Sequence, residues 1–244
     1  MISLRSFRNL LLIPSFREFV ARLRLWYFLE VQKRLQIVGS QHSFDLTVQH
    51  NLKQLRDFSN PRMDLLIRPL SVLEFLNEKS SILIIGPRNE NDLLRLMASG
   101  FSHSGIRGLD LMSYSPWIDV GDMHETPYGD NTWDAILCGW TISYSRNPER
   151  FAREMLRIAK PGCALAIAVE FACLSYEDAI ELEGYSIEDK GFQRINSVDQ
   201  ILRLFDGHVD HVYFSHDAPL KRHHTAKGLV PNPSGVAVIF TVRK

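Results

Sequence analysis

The stretch GDMHETPYGDNTWDAIL, residues 121–137, decides how this chain folds. It follows the apolar run 117–120 directly and ends in a second apolar run that begins at Trp133. Short apolar runs bounded by Gly, Pro and Asp are typical of buried strands separated by turns. Asp122 follows the first strand, and we expect it at the carboxyl edge of a sheet, where open α/β folds bind their ligands.

Apolar runs on both sides of this stretch predict a mostly parallel sheet covered by helices. The predicted strands are 81–85, 105–111, 117–120, 133–139 and 164–170. The predicted helices are 90–99, 147–159 and 197–205, the last capped by Ser197 and ended by Gly207. Two strand-like segments, 208–216 and 236–242, follow and are joined by a long polar loop. Such a terminal pair predicts an α/β fold with an antiparallel C-terminal edge on an otherwise parallel sheet.

Residues 1–79 have a different texture, with apolar and charged residues at helical spacing and almost no strand signal. The predicted helices in this part are 15–35, 46–58 and 63–77. We therefore divide the chain into a helical N-terminal region, 1–79, and a domain, 80–244. The helical region is expected to act as a cap or as a docking element.

Two segments of the domain resemble the Rossmann-like S-adenosylmethionine-dependent methyltransferase family, methyltransferase type 11. Residues 121–137 are similar to the family's GD-x-x-x-LPF-x-DN-x-FD-x-V stretch. Residues 154–169, with Lys160-Pro161-Gly162 at their centre, resemble its E-x-x-RVLKPGG-x-L-x-I segment. The resemblance runs from Ser81 to Lys244. It implies S-adenosylmethionine as cofactor and methyl transfer as the reaction.

The resemblance also implies cofactor-binding positions along the carboxyl edge of the sheet. They are Gly86, Asp110, Leu111, Asp122, Met123, His124, Cys138 and Gly139. The family's acidic residue at the position of Asp110 bonds both ribose hydroxyls, a use that suits a carboxylate with two acceptor oxygens. Asp122 takes the role of accepting from the adenine amino group. A turn or helix cap is the alternative role for Asp110.

The loop after the first strand departs from the family's pattern. Ile84 stands where the family has an acidic residue, and Gly86 alone remains of its loop glycines, which allow close backbone approach to the cofactor. Two interpretations remain open. Arg88 pairs with the methionyl carboxylate while Glu90 contacts the amine, or the pocket is closed and the domain is a scaffold.

A second departure concerns the connection after the second strand. Only residues 112–116 are free to join Asp110 to the next strand. A parallel crossover normally takes a dozen or more residues and carries a helix. We therefore predict that the usual helix is missing, and that Tyr114 or Trp117 covers one side of the adenine pocket.

Charge and composition limit which partners the protein is expected to bind. Lys+Arg and Asp+Glu are both 28, without the basic excess of a nucleic-acid-binding protein, so we expect a small-molecule or glycan-precursor acceptor. Residues 1–34 nevertheless carry a net charge of +5. The helix at 15–35 lies weakly on an anionic membrane, packs on the domain or another protein, or forms a lid over the acceptor pocket. Targeting and membrane-spanning signals are lacking, so we expect a cytoplasmic protein.

No side chain stands in a motif that assigns it catalysis. The candidate bases are His124, Tyr144, Glu170 and His216. Trp140 and Tyr144 are expected to wall an acceptor pocket beside Gly139. The histidine spacing does not favour a metal site. The three cysteines, Cys138, Cys163 and Cys173, are predicted to be buried thiols.

Overall fold

The computed structural model describes residues 4–39, 45–58, 62–171, 195–217, 221–225, 228–232 and 234–244. Its helices are α1 (Leu4–Leu11), α2 (Pro14–Leu25), α3 (Asp45–Lys53), α4 (Asp64–Leu70), α5 (Asn91–Ala98), α6 (Pro148–Ile158) and α7 (Val198–Arg203). Its strands are β1 (Gln36–Ile37), β2 (Ile82–Ile85), β3 (Ile106–Asp110), β4 (Met112–Ser113), β5 (Ile118–Val120), β6 (Trp133–Gly139), β7 (Ala159–Phe171), β8 (Val209–Asp217), β9 (Lys221–Thr225), β10 (Gly228–Asn232) and β11 (Ser234–Val242).

Seven strands form one sheet in the order β5-β3-β2-β6-β7-β11-β8. The five strands from β5 to β7 pair in parallel, and β11 pairs antiparallel with both β7 and β8. The predicted α/β, Rossmann-like class is confirmed. The predicted antiparallel strand is present, and it lies one position in from the sheet edge.

The short connection after β3 is confirmed. Residues 111–117 are all described, and they contain β4 but no helix. β4 pairs antiparallel with β1, so a strand from the helical region contacts this short connection.

The prediction of a long polar loop between β8 and β11 is wrong in part, because this segment contains the antiparallel hairpin β9–β10. Its strands lack the apolar alternation by which a half-buried strand is recognised. The helix predicted over 63–77 is also too long, since α4 ends at Leu70. Pro69, inside α4, lacks the N–H that would donate to the carbonyl of Leu65, which weakens the last turn of the helix. The helix predicted over 15–35 is α-helical only to Leu25 and continues as a π-helical turn over Trp26–Val31.

Apolar side chains cover both faces of the sheet, and a third cluster joins the helical region to the domain. In that cluster, Leu11, Ala21 and Leu25 pack with Leu94 of α5 and with Tyr114. Of the three cysteines, Cys138 and Cys163 are free and buried, as predicted, while Cys173 lies outside the described residues. In the part of the chain that the structure describes, no helix is long and apolar enough to cross a membrane.

Candidate cofactor site

Asp110 ends β3 with its carboxylate buried, and protein donors hold both of its oxygens. Oδ2 accepts a hydrogen bond from the backbone N–H of Arg88 at 2.9 Å. Oδ1 accepts from the side-chain amide of Asn51 at 3.3 Å and from the backbone N–H of Met112 at 3.4 Å. Burial raises the pKa of Asp110, and the backbone N–H donors counteract that shift only in part. A donor from α3 therefore reaches the carboxylate predicted to bind the ribose.

Asp122 follows β5, and the parallel pairing of β3 with β5 places it beside Asp110, whose carbonyl accepts from the backbone N–H of Gly121 at 2.9 Å. Its Oδ1 accepts from the backbone N–H of His124 at 2.9 Å and lies 2.6 Å from Nδ1 of the same residue. Nε2 of His124 lies 2.7 Å from the hydroxyl of buried Ser145. Among the described residues, these bonds to the carboxylate use Oδ1, which leaves Oδ2 for a further donor.

The His124 contacts also set the charge state of Asp122. Burial alone would raise the pKa of Asp122. The side-chain and backbone hydrogen bonds from His124 outweigh that effect and hold the pKa below its usual value. The carboxylate is therefore ionised at neutral pH, as an acceptor for an amino group should be.

The turn after β2 is held in an uncommon backbone conformation. Gly86 and Arg88 both have positive φ, +70° and +55°, and such a φ is uncommon for a residue other than glycine. The guanidinium of Arg88 donates to Gln54 at 2.7 Å and to Asn51 at 3.3 Å, both from the helical region. Burial lowers the pKa of Arg88. The side chain predicted to hold the methionyl carboxylate thus binds the protein's own amides.

Glu90 has no exposed surface. Its carboxylate accepts from the guanidinium of Arg24 on α2 at 2.5 and 3.0 Å and from the hydroxyl of Ser115. The backbone N–H of Glu90 donates to the hydroxyl of Tyr114 at 3.2 Å. This pairing engages the group predicted to contact the cofactor's amine, and it leaves no oxygen exposed to a ligand.

The two glycines of the predicted site face side chains of the protein itself. A Cβ added at Gly86 would lie 2.1 Å from the hydroxyl oxygen of Thr141, and one at Gly139 would lie 2.1 Å from the sulfur of Met63. Thr141 follows β6, and Met63 immediately precedes α4. The space that each glycine opens is therefore filled from within the chain.

The other predicted positions lie around this edge without a polar contact that would assign them a role. Leu111 offers its carbonyl to the backbone N–H of Val38 at 2.8 Å, and Met123 packs partly buried against the main core. Burial raises the pKa of the Cys138 thiol to about 12. Of the candidate bases, Tyr144 is exposed near the site, while Glu170 and His216 lie on β7 and β8.

Comparison with known proteins agrees with this geometry at the level of the family. Residues 107–167, from β3 through most of β7, match the profile of the family described as "Methyltransferase domain". This segment, a quarter of the chain, is therefore similar in sequence to a methyltransferase domain. Norajmaline N-methyltransferase of Rauvolfia serpentina is 43% identical over 49 residues, and ajmaline N-methyltransferase of the same plant is 39% identical over 49 residues. Each match covers 20% of this chain and only 17% of the relative's length.

Solved structures of methyltransferases share the fold. The methyltransferase bound to the Trm112 methyltransferase activator of Haloferax volcanii superposes with a TM-score of 0.52 at 16% identity, covering 83% of this chain and 97% of that one. An S-adenosylmethionine-dependent methyltransferase of Thermotoga maritima gives a TM-score of 0.52 at 15% identity, covering 82% and 98%. The methyltransferase fold thus extends over most of the chain, well beyond the matched segment.

The methyltransferase domain fits the adenosine part of S-adenosylmethionine by its donor and acceptor set. The carboxylates of Asp110 and Asp122 lie at the ends of adjacent strands. The side-chain amide of Asn51 donates a hydrogen bond to Asp110, as a ribose hydroxyl could. The side chain of Thr141 lies against Gly86 and that of Met63 against Gly139. In the family, the methionine moiety of the cofactor approaches the backbone at these glycines. The adenosine half of the candidate site therefore has an acceptor set that fits adenosine, and side chains of the protein lie against the glycines of the methionine half.

The residues that complete the site were not visible in the sequence. Asn51, Gln54 and Met63 come from the helical region, and no motif there signals a contact with the domain. Thr141 and Ser145 lie in the segment after β6 where we expected an acceptor pocket. Polar residues in helices and turns are too common for their type alone to mark a site.

Proposed function

We propose that the chain transfers a methyl group from S-adenosylmethionine to a small-molecule acceptor. The observation that carries the proposal is the pair of carboxylates at the ends of β3 and β5, Asp110 and Asp122, at the places where the family binds ribose and adenine. Asp122 is ionised at neutral pH and has an oxygen left for the adenine amino group.

The proposed adenosine contacts are divided between two residues. Asp110 binds the ribose hydroxyls after they displace the amide of Asn51, a long contact of 3.3 Å that is replaced without leaving a buried acceptor unpaired. Asp122 accepts from the adenine amino group through Oδ2, while His124 and Ser145 fix its orientation. Glu90 is left out of the contact set because Arg24 and Ser115 already engage it.

The helical region, residues 1–79, is proposed to act as the cap of the site. Met63 and α3 lie over the methionine half, so this part of the cap has to shift before the cofactor's sulfonium can reach Gly139. When bound, the cofactor supplies an electrophilic methyl group. The chain's own residues then have to position the acceptor and exclude water, since an in-line displacement gains most from orientation.

The acceptor is proposed to enter beside the segment after β6. Trp140 and half-exposed Tyr144 offer apolar walls, and the ring of His50 on α3 lies 6.4 Å from that of Tyr144. The guanidinium of Arg62 lies 5.1 Å from the ring of Trp140. A proposed entrance lined by aromatic and cationic side chains suits a compact acceptor better than a polymer. We include amines and glycan precursors among the acceptors to be tested, the amines because both curated relatives are N-methyltransferases.

A non-catalytic interaction module is the second candidate function. The positions of Thr141 and Met63 favour it, because these side chains lie against the two glycines at which the cofactor would approach the backbone. The buried pairing of Glu90 with Arg24 further ties the helical region to the altered loop. In this reading the methyltransferase domain is a scaffold that presents the helical region to a partner.

Calorimetric titration of the full chain with S-adenosylmethionine and with S-adenosylhomocysteine separates the two candidates. We expect binding in the wild type and a loss of about 100-fold in Asp110→Ala and in Asp122→Ala, since hydrogen bonds to a charged group contribute about 1.5–3 kcal/mol each. Melting temperatures of both variants show whether they remain folded. No heat and no thermal shift at saturating ligand in a folded wild type would reject the enzyme and favour the module.

A further inference from the structure

The exposed apolar surface of this protein is concentrated on the second helix and its continuation. Of the fifteen large hydrophobic side chains that are exposed in the described part of the chain, nine lie between residues 12 and 37. We call three of them, Phe19, Leu23 and Trp26, the apolar face. At about 100° per residue they fall within an arc of roughly 60° around the helix. Leu12, Ile13, Tyr27 and Val31 are exposed at the two ends of this face.

The other side of the same helix is anchored in the protein. Ala21 and Leu25 are buried in the cluster that α2 shares with α5, and buried Arg17 donates to the carbonyl of Leu11 at 2.9 Å. Arg24 is held by Glu90, and its guanidinium lies 3.4 Å from the ring centroid of Trp117. The orientation of α2 is therefore fixed, and the apolar face points away from the domain. Contiguous exposed apolar surface of this kind marks an interaction site.

The charge around the apolar face indicates what it binds. Residues 1–34 carry a net charge of +5, and the remaining residues of this neutral chain carry −5. Exposed Arg22, Lys33 and Arg56 lie on or beside this segment, and they have two acidic partners, Glu18 and Glu30. Arg17 is buried and Arg24 pairs with Glu90, so neither adds to the charge that the face presents. The exposed cations outnumber Glu18 and Glu30, and an anionic surface therefore attracts this end of the molecule.

We propose that the apolar face docks the protein onto an anionic phospholipid surface. A helix with Phe, Leu and Trp on one side and cations at its flanks lies in the plane of the membrane interface. Trp26 and Tyr27 are the side chains that favour the headgroup level. In this proposal α2 lies on the surface as an interfacial helix does, and its attachment is reversible. The proposal is independent of methyl transfer, since it uses no residue of the cofactor site.

Vesicle co-sedimentation of the full chain tests the proposal. We expect the wild type to sediment with vesicles of phosphatidylcholine and phosphatidylglycerol, and to remain in solution with vesicles of phosphatidylcholine alone. The double variant Leu23→Ser/Trp26→Ser is expected to lose at least about tenfold in partition, because two bulky side chains no longer leave water. The matched control is Val72→Ser/Phe75→Ser, whose side chains are 79% and 40% exposed elsewhere on the helical region. That control should sediment like the wild type.

Two further measurements show whether the apolar face binds a phospholipid surface or a second copy of the chain. Vesicle binding should shift the tryptophan emission to shorter wavelength, and Trp26→Phe should abolish the shift because the other tryptophans are less exposed. Sedimentation velocity without vesicles reports self-association. A dimer that Leu23→Ser/Trp26→Ser dissociates, together with no binding to anionic vesicles, would overturn the proposal and assign the face to a second copy. Equal sedimentation of wild type and double variant would overturn it as well.

Discussion

The two halves of the candidate cofactor site differ in what lies against them. In the adenosine half, Asp122 is ionised at neutral pH and keeps an oxygen for a ligand, and a weak contact from Asn51 covers Asp110. In the methionine half, Thr141 and Met63 lie against the two glycines. The adenosine half presents carboxylate acceptors to a ligand, whereas side chains of the protein pack against the glycines of the methionine half.

The loop after β2 differs from the rest of the candidate site in its match to the family. The segment from β3 to β7 that matches the family carries Asp110, Asp122, Gly139 and Thr141, while the loop after β2, with Gly86, lies outside the match. That loop contacts the helical region, through Arg88 to Gln54 and through Glu90 to Arg24. The methionine half of the candidate site therefore lies at the interface between this loop and the helical region.

The largest effect is expected from filling the space over Gly86. In Gly86→Ala, the added methyl group meets the β-branched side chain of Thr141, at 2.1–2.9 Å, in a backbone with positive φ. Left-handed backbone costs about 1–2 kcal/mol and overpacking about 1–3 kcal/mol. Urea unfolding followed by circular dichroism should therefore show a free energy of unfolding lower by about 2–5 kcal/mol.

Gly139→Ala is the control for that variant, because its added methyl group meets the sulfur of Met63, which sits on a flexible side chain. We expect a loss below about 2 kcal/mol. Equal stability of Gly86→Ala and the wild type would show that Thr141 does not fill this space, and the contrast between the two halves would disappear.

The next effect is expected at the ion pair between the cap and the altered loop. Glu90→Gln removes the charge that Arg24 faces, and we expect the free energy of unfolding to fall by about 2–3 kcal/mol, since breaking a buried pair leaves a charge uncompensated. Glu18→Gln breaks an exposed pair of the same helix, 3.8 Å from Arg22, and should change stability by less than about 0.5 kcal/mol. Similar losses in the two variants would mean that the buried pair does not fix the cap.

Much of the fold follows from local pattern. β6 spans the predicted residues, and β2, β3 and β5 differ from prediction by one residue at one or both ends, because buried parallel strands are continuous apolar runs. The missing helix after β3 was predictable by counting residues. The hairpin β9–β10 was not, since its polar strands carry no period that distinguishes them from a loop.

Less of the site was predictable, for a different reason. The sequence and the family resemblance together placed Asp110 and Asp122 at the sheet edge, but not the side chains that reach them. Asn51 and Met63 lie 59 and 76 positions before Asp110 and Gly139, the groups they touch. Such pairs depend on how the helical region packs, and packing leaves no periodic signal in the sequence.

A smaller effect is expected from emptying the methionine half. Met63→Ala removes a buried side chain and should lower the free energy of unfolding by about 2 kcal/mol. It should also tighten the binding of S-adenosylmethionine by roughly tenfold, because less of the binding energy is spent on displacing the side chain. Leu70→Ala, at the other end of α4, is the control and should lower stability without changing affinity. Unchanged or weaker binding in Met63→Ala would show that Met63 does not compete with the cofactor.

The smallest effect concerns the charge of the adenosine half. The pKa of Asp122 is lower in the folded protein than the value of about 3.9 expected for the unfolded chain. The ionised carboxylate therefore stabilises the fold above that pH, and this contribution is lost as the pH falls through the folded pKa. At pH 7 we expect Asp122→Asn to be less stable than the wild type, by less than about 1 kcal/mol, and the two urea midpoints should converge as the pH falls from about 4 through the folded pKa. In His124→Gln, which lacks the imidazole donor, the pKa of Asp122 should rise. The difference in urea midpoint between His124→Gln and Asp122→Asn should therefore begin to close at a higher pH. A wild-type advantage that stays constant down to about pH 3 would mean that ionisation of Asp122 does not carry it, and the acceptor set of the adenosine half would then have to rest on Asp110 alone.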